Sequence, residues 1–249
     1  MVKSLTEGKP LKLILVFMLP IFIGNVFQQL YSMVDAVIVG RTLGELALGG
    51  VGVTSPLTFL IFGFAQGLTA GFAIVTSQFF GRSDESGVKR SVAAAFVLCV
   101  ALTAVLTAVS CVCAMPLLRL MNTPDSIIGY AYDYLISLFI GMFATVFYNI
   151  LASILRAVGD SRTPLVFLII TSVLNVGLDF LFILVFKMGV AGARWATVVS
   201  QVISGVACLI YMLIKYHALR ISAKDFKGIG RVSLKELWVG LPMALQFSI

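Results

Sequence analysis

Long apolar runs separated by short polar breaks set the pattern of this chain. Residues 12–39, 91–118, 164–186 and 190–214 are apolar, and each exceeds the roughly 20 residues a helix needs to cross a bilayer. Residues 46–80 and 127–155 are equally long but carry some polar side chains. The pattern therefore predicts six membrane helices. None of the runs alternates as a lipid-facing barrel strand does, which excludes a barrel. No small-residue cleavage site follows the first run, so a secretory signal is the weaker reading of it. After Tyr216 a polar, basic loop of roughly 18 residues runs to Ser233. A further apolar run starts at Leu234 and reaches Ile249.

The breaks carry the expected punctuation. Gly81 closes the second run before the mixed charges of SQFFGRSDE, and Pro124 stands near the start of the fourth. Gly159 and Pro164 frame the turn RAVGDSRTP as helix stop and helix start. In the second run Gly63, Gly67 and Gly71 recur every four residues and form one flat strip, along which a neighbouring backbone can approach closely. The third run, VAAAFVLCVALTAVL, is nearly featureless and reads as a lipid-facing structural helix. Small residues at Ala191, Gly192, Ala193, Ala196 and Thr197 favour tight packing at the start of the sixth.

The last run echoes the first. Leu241-Pro242 repeats Leu19-Pro20 at an offset of 222 residues, with an LK pair near the start of each run. The chain thus reads as an all-α membrane protein, six helices forming one lobe of a two-lobe transporter plus the start of a seventh. The expected division is a lobe over residues 1–216, a cytoplasmic inter-lobe loop over 217–233 and a truncated start of the second lobe over 234–249.

Composition agrees. Of 249 residues 60% are hydrophobic and 12% charged, with mean hydropathy +1.06, where soluble domains are about a quarter charged. The net charge of +7 would suit nucleic acid, but its placement says topology instead. Of 18 Lys and Arg residues, 14 fall at the N-terminus and in the even-numbered loops. That bias places the N-terminus in the cytoplasm and the protein in the plasma (inner) membrane as a multi-pass chain. Four basic residues, Arg41, Arg119, Lys187 and Arg194, fall to the outer side, which leaves the spans without internal Lys or Arg. The basic sixth loop would also suit anionic membrane lipid. All four cysteines lie inside spans and read as small apolar filler. The single histidine, His217, has no nucleophile or metal ligand in spacing, so an enzyme with catalytic residues is not expected.

Two acids break the apolar pattern. Asp35 in the first span and Asp179 in the fifth each carry an insertion penalty of about 2.5–3.5 kcal/mol at a helix centre, which calls for an ion or substrate path. They lie roughly 9 and 12 Å inward from Arg41 and Lys187 at about 1.5 Å per residue, hence at similar depth. Asn175 precedes Asp179 by four residues and shares its face. Two carboxylates in one low-dielectric pocket cannot easily both stay charged and unpaired, so a shared proton or a bridging cation is expected. Asp133, within two turns of the outer surface, reads as solvated or at the lipid headgroups. Pro20 deletes a backbone hydrogen bond and reads as a hinge in the first span. Gln28, Gln29, Tyr31, Gln66 and Tyr148 are the candidates to line an interior cavity.

Together these motifs resemble the multidrug and toxic compound extrusion family. The features are Pro20 followed by Asp35 and Gly40-Arg41, SQFFG at the end of span two, RAVGDSRTP, Asn175 with Asp179, and GVAGARWATVVSQ. The resemblance implies an antiporter of two six-helix lobes that exports amphipathic or cationic organic compounds against an inward proton or sodium gradient, without a cofactor. It implies a cation site in the N-terminal lobe at Asp35, Asn175, Asp179 and Thr197; the neutral oxygens of Asn175 and Thr197 suit a hard ion such as sodium. The partners implied are a small organic substrate, membrane lipid and a C-terminal lobe of which this sequence holds a stub. A lipid-linked flippase of the same superfamily would need a strongly cationic cavity. A non-transporting, truncated membrane protein is the remaining alternative: Asp35 and Asp179 speak against a mere scaffold, while the break at Ile249 would suit a relic or an incomplete record.

Overall fold

The computed structural model describes residues 10–249, without the side chains of Pro10, Lys12, Tyr31, Asp35, Val39, Leu43 and Val190. Among the described residues there is helix and no strand. Helix α1 spans Pro10–Leu43, α2 Glu45–Val53, α3 Ser55–Gly81, α4 Glu85–Leu120, α5 Asp125–Ile140, α6 Met142–Ala157, α7 Arg162–Asp179, α8 Gly189–Lys215 and α9 Gly230–Ser248. Five of the described helices are long and apolar enough to cross a membrane, and the pair α5–α6 makes a sixth if it counts as one span.

The core is built around α6. Met142, Ile150, Leu151, Ile154 and Leu155 are fully enclosed and pack with Leu135, Leu118 and Phe72 of neighbouring helices. Outward-facing apolar residues such as Val105, Val112, Val173 and Val206 stay exposed. That is the arrangement for a bundle whose solvent is lipid, where burying apolar surface between helices is not the main driving force.

Four expectations need correction. The run 46–80 is two helices rather than one. Pro56 at the second position of α3 lacks a donor, and Thr54 ends α2 by turning its hydroxyl onto the Val51 carbonyl at 2.7 Å. Helix α2 then packs on α5. The run 127–155 is bent by 47° between α5 and α6. At the bend a Cβ on Gly141 would sit 2.1 Å from Val198 Cγ2 of α8, so the absence of a side chain lets α8 press into the joint. The third run is not lipid-facing throughout: Ser91 to Ala95 are buried in the bundle, and only the later part of α4 alternates with exposed positions. The basic loop after Tyr216 is shorter than expected, since two 3-10 turns, His217–Leu219 and Ala223–Phe226, occupy it and α9 begins at Gly230.

The glycine strip of α3 has found its neighbour in α9. A Cβ on Gly63 would lie 2.3 Å from the Phe247 carbonyl oxygen, on Gly67 2.5 Å from Ala244 Cα, and on Gly71 2.4 Å from Gly240 Cα. The two backbones touch along three turns.

The turn RAVGDSRTP holds one end of the bundle together. Gly159 takes a φ of 88°, open to glycine at no steric cost. Asp160 then caps α7, accepting from Arg162 N at 3.1 Å, Thr163 N at 3.0 Å and Thr163 Oγ1 at 2.6 Å. It also accepts from the Tyr216 hydroxyl just past α8. Burial alone would raise the Asp160 carboxyl; the bonds from Thr163 and Tyr216 and the charge of Lys215 outweigh it and hold the group below the ordinary carboxylate range. Burial, and then the facing carboxylate, push the Tyr216 phenol up.

Candidate functional site

Helices α7 and α8 lie side by side, and α1 packs across α7. Asn175 is 1% exposed and donates from Nδ2 to Thr197 Oγ1 at 3.1 Å, which joins the two helices. Thr197 in turn donates to the Ala193 carbonyl of its own helix at 3.1 Å. Asn175 Oδ1 remains buried without a hydrogen-bond partner. One turn further on the same face stands Asp179, with none of its surface exposed. It is the last residue of α7, and the chain continues from it into a π-helical turn, Phe180–Val185, against which Gly192 of α8 packs. Such turns widen the helix locally and are frequent at functional sites. The backbone of Asp35 belongs to α1, while its side chain, like that of Tyr31, lies outside the described residues. Helix α1 runs through Pro20 as one helix from Pro10 to Leu43.

A narrow polar cleft opens where α1, α3, α6, α7 and α8 converge. Pro20, Gln28, Gln66 and Tyr148 line it, with Gln201 of α8 and Arg156 of α6. Tyr148 donates its hydroxyl to the Pro164 carbonyl at 3.0 Å, and Thr145 donates to Gln201 Oε1 at 2.6 Å. Gln29, one residue past Gln28 and a third of a turn around the helix, is exposed and is not among the residues facing the cleft. The space is about 80 Å³, enough for roughly two or three waters at about 30 Å³ each. A drug-sized compound does not fit it in this state. A larger hollow of about 540 Å³ lies between α5 and α8, with Tyr130, Tyr132 and Trp195 on its walls and exposed Asp133 at its edge.

Three groups escaped the sequence reading. Arg194 is inside α8 rather than in an outer turn, and its guanidinium stacks 4.2 Å from the centre of the Tyr134 ring, so the spans do hold a base. Arg156, read as a loop residue, occupies the last turn of α6 and reaches Ser153 Oγ at 3.0 Å from the cleft wall. Glu236 of α9 is fully buried and accepts from Ser91 Oγ at 2.7 Å. The lone acid in LKELWVGLP was its only signal, and near a helix start such an acid reads as solvated.

Comparison with known proteins gives this arrangement a context. The MatE family profile matches residues 20–181. The "Probable multidrug resistance protein YpnP" of Bacillus subtilis (strain 168) is 36% identical over 98% of this chain and 54% of its own length. A protein of Shewanella oneidensis named "FAD transporter" is 26% identical over 92% of this chain and 51% of its own. Among solved structures, a MOP superfamily transporter from Pyrococcus furiosus superposes with a TM-score of 0.88 at 29% identity, covering 96% of this chain and 53% of that one. The chain thus spans about half the length of the curated relatives it matches. With the family profile matched over most of its helices and one lobe of a two-lobe transporter reproduced in three dimensions, this chain belongs to the multidrug and toxic compound extrusion family, of which it forms the N-terminal lobe.

Proposed function

We propose that this lobe works with a second six-helix lobe as a cation-coupled exporter of amphipathic organic compounds. The coupling ion, a proton or sodium, binds at Asp35, Asn175, Asp179 and Thr197. The observation that carries this reading is the Asn175–Thr197 bond, which leaves Asn175 Oδ1 open in a buried space one turn from Asp179. An acceptor without a donor, beside a carboxyl group, is what a cation site offers when empty. Helix register adds support. Gly24 of α1 meets Leu168 of α7, and eleven residues separate Gly24 from Asp35 and Leu168 from Asp179. In two spans that run in the same direction the acids then share a level, about 16 Å from that contact.

The basic loops put the N-terminus, the α3–α4 turn and the stretch before α9 in the cytoplasm. The site, enclosed in this state, then lies nearer the outer side, from which an incoming ion would neutralise it. Ion and substrate each act by favouring one of two lobe states. The test is gradient-driven efflux from vesicles bearing both lobes, with Asp35→Asn or Asp179→Asn. Each change removes an ionisable group at nearly constant volume. Efflux should fall to the level of empty vesicles; wild-type efflux in either variant would place the coupling elsewhere.

Arg156 on the cleft wall favours a second reading, in which the exported compound is an anion. The relative named FAD transporter fits that chemistry. Arg156→Gln separates the two: it abolishes export of an anionic flavin nucleotide under this reading and leaves export of an organic cation intact under the first.

A further inference from the structure

Helix α9 carries an acid that the coupling site above does not use. Glu236 lies six residues into α9 with none of its surface exposed. Its neighbours come from α3 and α4. Ser91 Oγ donates to Glu236 Oε1 at 2.7 Å and stands 2.9 Å from Thr76 Oγ1, and both hydroxyl residues are fully buried. The second carboxyl oxygen, Oε2, is enclosed without a hydrogen-bond partner.

The charged groups of every surrounding element turn elsewhere. Lys235, next to it on α9, bonds Gln78 Oε1 at 2.7 Å and lies over the Phe79 ring. Arg231 of α9 is exposed. On α4, Arg90 is exposed and Lys89 half-buried, and neither bonds Glu236. Helix α3 has no titratable side chain, and the other titratable group near the cluster is the buried thiol of Cys99. Among the described residues no base forms an ion pair with Glu236. A carboxylate there would be a buried charge without a counter-ion, which proteins avoid by keeping the group neutral. A proton on Oε2 resolves the charge and leaves Oε1 to accept from Ser91.

We propose that Glu236, with Ser91 and Thr76, is a second proton-binding site, set between α9 and the α3–α4 pair and separate from the Asn175–Asp179 cluster. It lies within about two turns of the α3–α4 turn, whereas Asp179 lies 17 residues along α7 from Arg162, about 26 Å from that end of the bundle. The two sites therefore address opposite ends of the lobe. Protonated, Glu236 lets α9 seat in the α3 groove. Deprotonated, it places an unpaired charge in the seam and α9 is driven outward.

Infrared spectroscopy of the 249-residue chain in lipid nanodiscs tests this without any transport assay. The protonated-carboxyl C=O band should persist at neutral pH, where an ordinary Glu with a value of about 4.3 is ionised. A component of that band should vanish in Glu236→Gln, remain in Asp179→Asn, and disappear from the wild type on raising the pH. Ser91→Ala should move it to higher wavenumber, because the carbonyl loses its donor. The proposal is overturned if Glu236→Gln leaves the neutral-pH band unchanged. Should Glu236→Gln fail to fold, a band that does not move in Ser91→Ala overturns it equally.

Discussion

At the scale of single residues, Asp160 is the group whose surroundings act most directly on stability. It closes the first turn of α7 and anchors Tyr216 beyond α8. Its folded-state value lies below its unfolded one. Its contribution is therefore complete above about pH 3.9, the unfolded value, and is lost as pH falls through the folded value. Asp160→Asn should keep the cap but remove this acid-side dependence. Asp160→Ala should cost about 0.5–2 kcal/mol through the lost capping hydrogen bonds, read as a lower thermal midpoint at neutral pH. Equal acid sensitivity in Asp160→Asn and the wild type would show that other carboxylates govern it. The turn was legible as a turn because Gly159 and Pro164 bracket it. Nothing in the sequence announced Tyr216 as its partner, since that contact joins positions 56 residues apart.

Helices show where periodicity informs and where it stops. Six spans follow from apolar length alone, because lipid demands it of any crossing helix. The break at Thr54, the bend at Gly141 and the π turn after Asp179 do not change the apolar pattern, so length cannot reveal them. The Asn175 and Asp179 pair was legible because four residues return a helix to the same face. Glu236, with Ser91 145 residues away, had no such local sign. For α1 the prediction concerns motion. The helix passes through Pro20 with one backbone donor missing at the cleft wall. Pro20→Ala in the two-lobed protein should slow transport several-fold while leaving cation binding near wild type, measured as ion-dependent protection from unfolding. Unchanged transport would mean that the proline is merely tolerated, as prolines in membrane helices often are.

For the whole molecule, the seam between α3 and α9 joins two distant parts of the chain. The repeat of Leu19-Pro20 as Leu241-Pro242 predicts that α9 opens a second lobe, yet its backbone packs closely on α3. Gly67→Val should cost about 1–3 kcal/mol as overpacking, because the extra carbons meet backbone that cannot turn aside. Detergent-induced unfolding should register it, and protease should cut the stretch before α9 faster in the variant. A variant as resistant as the wild type would show that the helices separate freely.

The same seam sets an order of events during synthesis. Gly240 follows Gly71 by 169 residues, so at about 5–20 residues per second the ribosome delivers it roughly 8–34 s later. Through that interval the bare glycine groove of α3 is already in the membrane with α9 still unmade. Small residues let a neighbouring backbone approach closely whatever its sequence register, so the groove stays open to wrong pairing for as long as that interval lasts. Closure of this seam is then timed by α9, and slowing translation between residues 81 and 230 should lower the yield of folded chain more than slowing it anywhere earlier.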